Sequence, residues 1–136
     1  MDEPTIELIE TSFQALAPRG DELVAAFYDT LFAQHPAVRP MFSDDITAQR
    51  GALLGALVVT VNNLRKPDVL LPTLRELGAR HAGYGVQAAH YDVVRDTLLS
   101  VMAELAGDLW SADLAAAWTS ALDVVGATML EGAAQG

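Results

Sequence analysis

The chain has no cysteine among its 136 residues. That excludes disulfides, thiolate zinc sites, iron–sulfur clusters, thiol nucleophiles and cofactors attached through thioether links. Positive charge is almost as scarce. Seven arginines and a single lysine, Lys66, face 18 acidic residues, for a net charge of −10. With no basic cluster, nucleic acid and anionic membrane surfaces are disfavoured as partners. Long apolar runs are missing as well. The longest, Gly51 to Thr60, is about half of the ~20 residues that a membrane span needs. The start, Met1-Asp2-Glu3-Pro4, has neither the basic residues nor the apolar core of a secretory signal, so the expectation is a cytoplasmic protein. Serine is sparse, and none of Ser12, Ser43, Ser100, Ser111 and Ser120 lies in a nucleophile elbow. There is no phosphate-binding glycine loop, no His-Glu-x-x-His and no EF-hand loop. Gly83-Tyr84-Gly85 joins two helical stretches and lacks the strand–turn–helix setting of a dinucleotide fingerprint. Hydrolase, kinase and dehydrogenase readings therefore find little support. Asp44-Asp45 reads as solvated loop charge rather than a cation site.

What is present is a hydrophobic content of 51%, enough for one folded domain across residues 1–136. The six prolines all fall within the first 72 residues, where segments begin or end. Only Leu57–Val61 is rich in β-branched residues, and it lies inside a longer helical pattern. The spacing predicts helices over about Pro4–Leu16, Asp21–Gln34, Ile46–Leu64, Val69–Ala82, Ala89–Leu105 and Ser111–Glu131. A short helical corner runs from Pro36 to Phe42, and a frayed tail from Gly132 to Gly136. Asp21 is placed to cap or charge the second helix, and Ser111 supplies half of a capping box for the last. The class is all-α, with six main helices and a short helical corner.

One imidazole stands out. Leu70, Leu74, Leu77 and His81 step by 4, 3 and 4 residues, which puts His81 on the apolar stripe of a helix. A histidine there is either a core residue bonded to backbone or the side chain that an all-helical protein offers to a haem iron. The second reading also needs an apolar slot and a polar group on the opposite side. Phe42, after Arg39-Pro40-Met41, suits an aromatic wall. Tyr28 falls on the inner face of the second helix, and Gln49 one turn before Leu53 on the inner face of the third. Two such polar groups need partners. They either satisfy each other or share a bound ligand. Taken singly, Tyr28 with its hydroxyl at the surface, Gln49 exposed and Phe42 as plain core are the default readings.

The segments Phe27-Tyr28-x-x-Leu31-Phe32-x-x-His35-Pro36-x-Val38-Arg39-Pro40-x-Phe42 and His81-x-x-Tyr84-Gly85-Val86-x-x-x-His90-Tyr91 resemble the bacterial single-domain globins, relatives of the globin module of flavohaemoglobins. Trp118, at the start of the final helix, fits the same pattern. The resemblance covers about residues 5 to 130. It implies a globin fold with haem b in a central crevice. His81 would be the proximal iron ligand, Phe42 the aromatic against the haem, Tyr28 and Gln49 the distal pair, and Leu53 the apolar residue one turn further on. Tyr91 would help to fix the ring of His81, with Leu77, Val86 and Val94 lining the proximal side and Arg80 among the cofactor contacts. His35 and His90 match motif positions and read as structural. Two departures stand out. The stretch from Phe42 to Gln49 is a few residues shorter than in the flavohaemoglobin type, so the corner should be tight. The glutamate often found on the family's last helix falls here at Ala133. Glu131, two residues away, is displaced by about 200° around the helix, which counts against peroxidase-like chemistry.

The resemblance implies reversible binding of dioxygen, nitric oxide and carbon monoxide. Function would be oxygen binding and storage, or nitric oxide detoxification as a dioxygenase. At this length the expectation is that a separate flavin or NAD(P)H reductase supplies the electrons. The alternative is a gas-sensing or helical protein-interaction module without turnover.

Overall fold

Each helix start is set by a short local signal. Asp2 opens the first: its carboxylate accepts from the Thr5 backbone N–H at 3.0 Å, and Pro4 occupies the first turn, where its missing N–H costs nothing. The computed structural model describes residues 1–135. Among them are six α-helices, three short 3-10 stretches and no strand, the all-α class expected.

α1 (Glu3–Leu16) buries Ile6, Ile9, Phe13 and Leu16. A 3-10 stretch at Ala17–Arg19 leads directly into α2 (Gly20–Gln34). No side chain caps α2, so Asp21 does not act as its cap. Asp21 and Glu22 instead sit in the first turn, where carboxylates complement the helix dipole. His35 ends α2 in a non-helical conformation, as a residue before proline must, and Pro36–Met41 forms the 3-10 corner.

α3 (Thr47–Asn62) starts from Asp45, whose carboxylate accepts from the backbone N–H of Thr47 at 3.0 Å and from its hydroxyl at 2.7 Å. α4 (Pro67–Gly83) begins two residues earlier than the sequence suggests and carries Pro72 inside it. Pro67 is tolerated in the first turn. The hydrogen bond that Pro72 forgoes belongs to the carbonyl of Asp68, close to the helix start. Gly85, at φ +84°, turns the chain after α4 in the left-handed region that suits glycine. α5 (Ala88–Ala106) opens with a reciprocal cap between Gln87 and His90, in which the Gln87 N–H donates to His90 Nδ1 at 2.9 Å. α6 (Ala112–Gln135) opens with the Leu114 N–H donating to Ser111 Oγ at 3.1 Å.

α6 continues through Gly132 to Gln135, a stretch expected to fray. Gly132 is buried and its Cα packs against the backbone of Arg75 on α4, so tertiary contact holds what local propensity would release. Gly136 lies outside the described residues.

Phe27, Leu23, Ile9, Met102 and Trp118 are the largest fully buried side chains. Trp118 spans α6 and α1, its Nε1–H donating to Ser12 Oγ at 2.9 Å. The pairing of α4 with α6 is the most extensive in the molecule. No helix among the described residues is long and apolar enough to cross a membrane.

Candidate functional site

Between α2, the corner and α3 on one side and α4, α5 and α6 on the other lies a cavity of about 560 Å³, within the range of a small-molecule or cofactor pocket. All ten residues singled out from the sequence line it: Tyr28, Phe42, Gln49 and Leu53, then Leu77, Arg80, His81, Val86, Tyr91 and Val94. They come from six separate parts of the chain, four helices, the corner and the turn between α4 and α5. Sequence reasoning missed the contribution of α6, whose Leu122, Val125 and Met129 also line the cavity. No motif marks them, and apolar residues on a helix signal only that some face is buried. Leu57 and Thr60, also in the lining, continue the stripe that begins with Gln49 and Leu53.

His81 is half-buried near the end of α4, its Nδ1 2.8 Å from the carbonyl oxygen of Leu77. A carbonyl only accepts, so Nδ1 is the donor. In the neutral imidazole the lone pair is then on Nε2, which is the tautomer that a metal requires. The ring also meets Tyr84 edge-on, with centroids 6.0 Å apart. Tyr84 lines the cavity although it is 67% exposed.

Opposite, the rings of α2 and the corner form a cluster. Tyr28 packs edge-on against Phe27 at 4.9 Å and Phe42 at 5.7 Å. Phe32 lies 5.8 Å from Tyr28 and 5.3 Å from Phe42. These are favourable aromatic geometries. Arg39 holds the corner together. Its guanidinium sits 4.8 Å from the centre of the Phe32 ring and donates to the carbonyls of Phe42 at 3.3 Å, Ser43 at 3.0 Å and Asp44 at 3.1 Å. One planar fork thus satisfies three successive carbonyls in the tight corner ahead of α3.

Tyr28 is buried. Burial pushes its hydroxyl above the usual tyrosine pKa, and hydrogen bonding to the Gln49 side chain offsets part of the rise. The phenol therefore stays protonated through neutral pH and beyond, able to donate. Gln49 is solvent-exposed while lining the cavity, so it stands at the open side of the pocket rather than in the packed core. Burial also raises the pKa of Tyr91, whose ring packs across Gly126 of α6.

The remaining candidates have other partners. Arg80 is exposed and pairs with Glu76 at 3.1 Å. His90 lines the cavity but also caps α5, and His35 ends α2. Glu131 is exposed, lies 3.6 Å from Arg75 and is not in the cavity lining. Ala133 is half-buried.

An all-helical crevice with an accepting imidazole nitrogen on one side and a protonated phenol on the other narrows the families to consider. The globin family profile matches residues 25–129. The chain belongs to the globin family. It is 28% identical over 128 residues to a flavohemoprotein of Bacillus subtilis, a match covering 92% of this chain and 32% of that protein. It therefore spans about a third of that relative's length. Among solved structures, an engineered carbene transferase, derived from a Rhodothermus marinus protein assigned as a nitric oxide dioxygenase, matches at 28% identity. Its TM-score is 0.89, with 99% of this globin and 94% of that chain covered. A bacterial globin from Campylobacter jejuni matches in fold, with a TM-score of 0.87 at 22% identity, covering 98% of this chain and 97% of that one.

Proposed function

We propose that this globin binds haem b in the cavity, that His81 would hold its iron, and that the protein thereby binds dioxygen, nitric oxide and carbon monoxide reversibly. The observation that carries the reading is the hydrogen bond from His81 Nδ1 to the Leu77 carbonyl, which leaves the other ring nitrogen as an acceptor on a cavity-lining residue. The pocket suits the group in size, and its apolar walls suit a flat macrocycle. With no cysteine in the chain, attachment is non-covalent. When bound, haem supplies the gas-binding and redox chemistry.

The side chains then have separable tasks. His81 ligates, and Leu77 orients its ring. Phe42 and Leu53 wall the cavity on the side of Tyr28, while Leu77, Val86 and Val94 wall the other. Tyr91 stands beside the proximal wall and helps to fix the imidazole. Tyr28 donates a hydrogen bond to a diatomic ligand, and Gln49, partnered with Tyr28, guards the open side. Arg80 offers a cation at the rim.

Turnover as a nitric oxide dioxygenase is the enzymatic form of the same reading, supported by the flavohemoprotein and Rhodothermus relatives. In that reaction nitric oxide and dioxygen would combine to nitrate with the uptake of one electron, which a flavin or NAD(P)H reductase would supply. The deciding experiment is the absorption spectrum of the purified protein, ferric, then dithionite-reduced, then with carbon monoxide, for the wild type and His81→Ala. A Soret band that shifts at each step in the wild type and is lost or altered in the variant is expected. A colourless protein that takes up no added hemin would refute the reading.

A further inference from the structure

α4 and α6 meet backbone to backbone at two reciprocal points. A Cβ on Gly78 of α4 would overlap the Met129 carbonyl of α6, and a Cβ on Gly132 of α6 would overlap the Arg75 carbonyl of α4. Each glycine lies three residues beyond the residue that receives its partner. In both contacts the obstacle is main chain, so no side-chain rotation makes room. Glycine is the poorest helix former after proline, yet Gly78 lies in the interior of α4 and Gly132 in the last turn of α6. No other glycine among the described residues meets main chain in this way: Gly51 and Gly55 on α3 face open space, and Gly20 on α2 meets only the side chain of Leu54. The close approach is particular to this crossing.

Its location matters for chemistry. Gly78 is one turn before His81, and the Leu77 carbonyl that orients the imidazole belongs to the peptide unit joining Leu77 to Gly78. On the other helix, Met129 lines the cavity. We propose that the Gly78–Gly132 crossing is a positioning device for His81. α6 sets how deeply α4 stands against the cavity, and with it the carbonyl that aims the ring. The inference rests on the reading of His81 as the iron ligand. Adding a Cβ at either glycine forces the helices apart by an ångström or so, and displacements of that size are felt strongly at a reacting centre.

The test uses Gly132→Ala, outside the cavity lining, Gly78→Ala, and Gly51→Ala as a control in open space. Three quantities are read. They are the iron–histidine stretching band of the ferrous protein by resonance Raman, the rate of hemin transfer to an acceptor apoglobin, and amide exchange over Gly78–His81 in the hemin-free protein. Gly132→Ala and Gly78→Ala should shift the band, speed exchange, and raise hemin loss by about tenfold, equivalent to about 1.4 kcal/mol. Gly51→Ala should change none of them. If His81→Ala abolishes the band while both crossing variants keep it at the wild-type frequency, the positioning role is overturned and the ligand assignment stands. If His81→Ala keeps the wild-type band, the ligand assignment falls and takes this inference with it. If both crossing variants fail to fold, the crossing serves the fold alone, and the positioning role is likewise refuted.

Discussion

Replacing Tyr28 by phenylalanine removes one oxygen atom and little else. The ring keeps its packing against Phe27, Phe32 and Phe42 at centroid distances of 4.9, 5.8 and 5.7 Å, so the walls of the cavity should hold. What is lost is the donor. Burial keeps that hydroxyl protonated beyond the ordinary tyrosine range, so the wild-type hydrogen bond is available at any pH where the protein is used. A hydrogen bond to a group carrying partial negative charge contributes about 1.5–3 kcal/mol. At ~1.4 kcal/mol per decade this is about ten- to a hundredfold in affinity. The loss should fall on the dissociation rate, because a hydrogen bond formed after entry does not slow entry. Dioxygen release is measured by stopped-flow displacement with carbon monoxide, and association by flash photolysis. The expected result is faster release with association changed far less. Carbon monoxide, a weaker acceptor, should respond less. An unchanged dioxygen release rate would refute the distal assignment of Tyr28 and show that Gln49 or solvent supplies the donor.

Three further outcomes follow from the same geometry. Burial raises the pKa of both Tyr28 and Tyr91 above the reference value of 10.0, so above it the folded state holds more protons than the unfolded one. Stability is then full below pH 10 and falls as pH rises past it; denaturation midpoints should decline in that window, less steeply in Tyr28→Phe, and equal slopes would contradict the assignment. Ser12→Ala takes the hydroxyl acceptor from the Trp118 Nε1–H in a site that is 1% exposed. An orphaned buried donor costs about 1–3 kcal/mol, so the urea midpoint should fall, and an unchanged one would mean that the indole finds another acceptor. Arg39→Met removes the donor of three successive carbonyls; amides over 43–46 should exchange faster while helix content holds, and unaltered protection would show the corner to be held by the aromatic cluster alone.

The parts of this fold that were readable in the sequence are those where one helix face decides the matter. Leu70, Leu74, Leu77 and His81 form a stripe whatever they pack against, and Pro36 ends α2 through its own ring. The same holds for the half-cap at Ser111. Asp21 was legible as charge but not as a non-cap, because its placement depends on the preceding 3-10 stretch at Ala17–Arg19. α4 starts two residues before the sequence pattern places it, because Pro67-Asp68 reads as a turn, although proline in a first turn and an acid beside it are also the marks of a helix start. Part of the site was within reach: a histidine at the end of a helical stripe has the carbonyl four residues earlier as a natural acceptor, and that contact fixes the tautomer of His81. Arg39 was not within reach. Its three carbonyl partners converge only once the corner has turned. The farthest from local reading is the C-terminal end of α6. Gly132 is a weak helix former close to the end of the chain, and Gly78 is a weak point in α4 by the same measure. Each is explained only across the chain, by the Met129 backbone against Gly78 and the Arg75 backbone against Gly132, because a main chain can approach this closely only where the residue facing it has no Cβ. A glycine that looks like a stop signal in one helix is, in the folded protein, the socket for another.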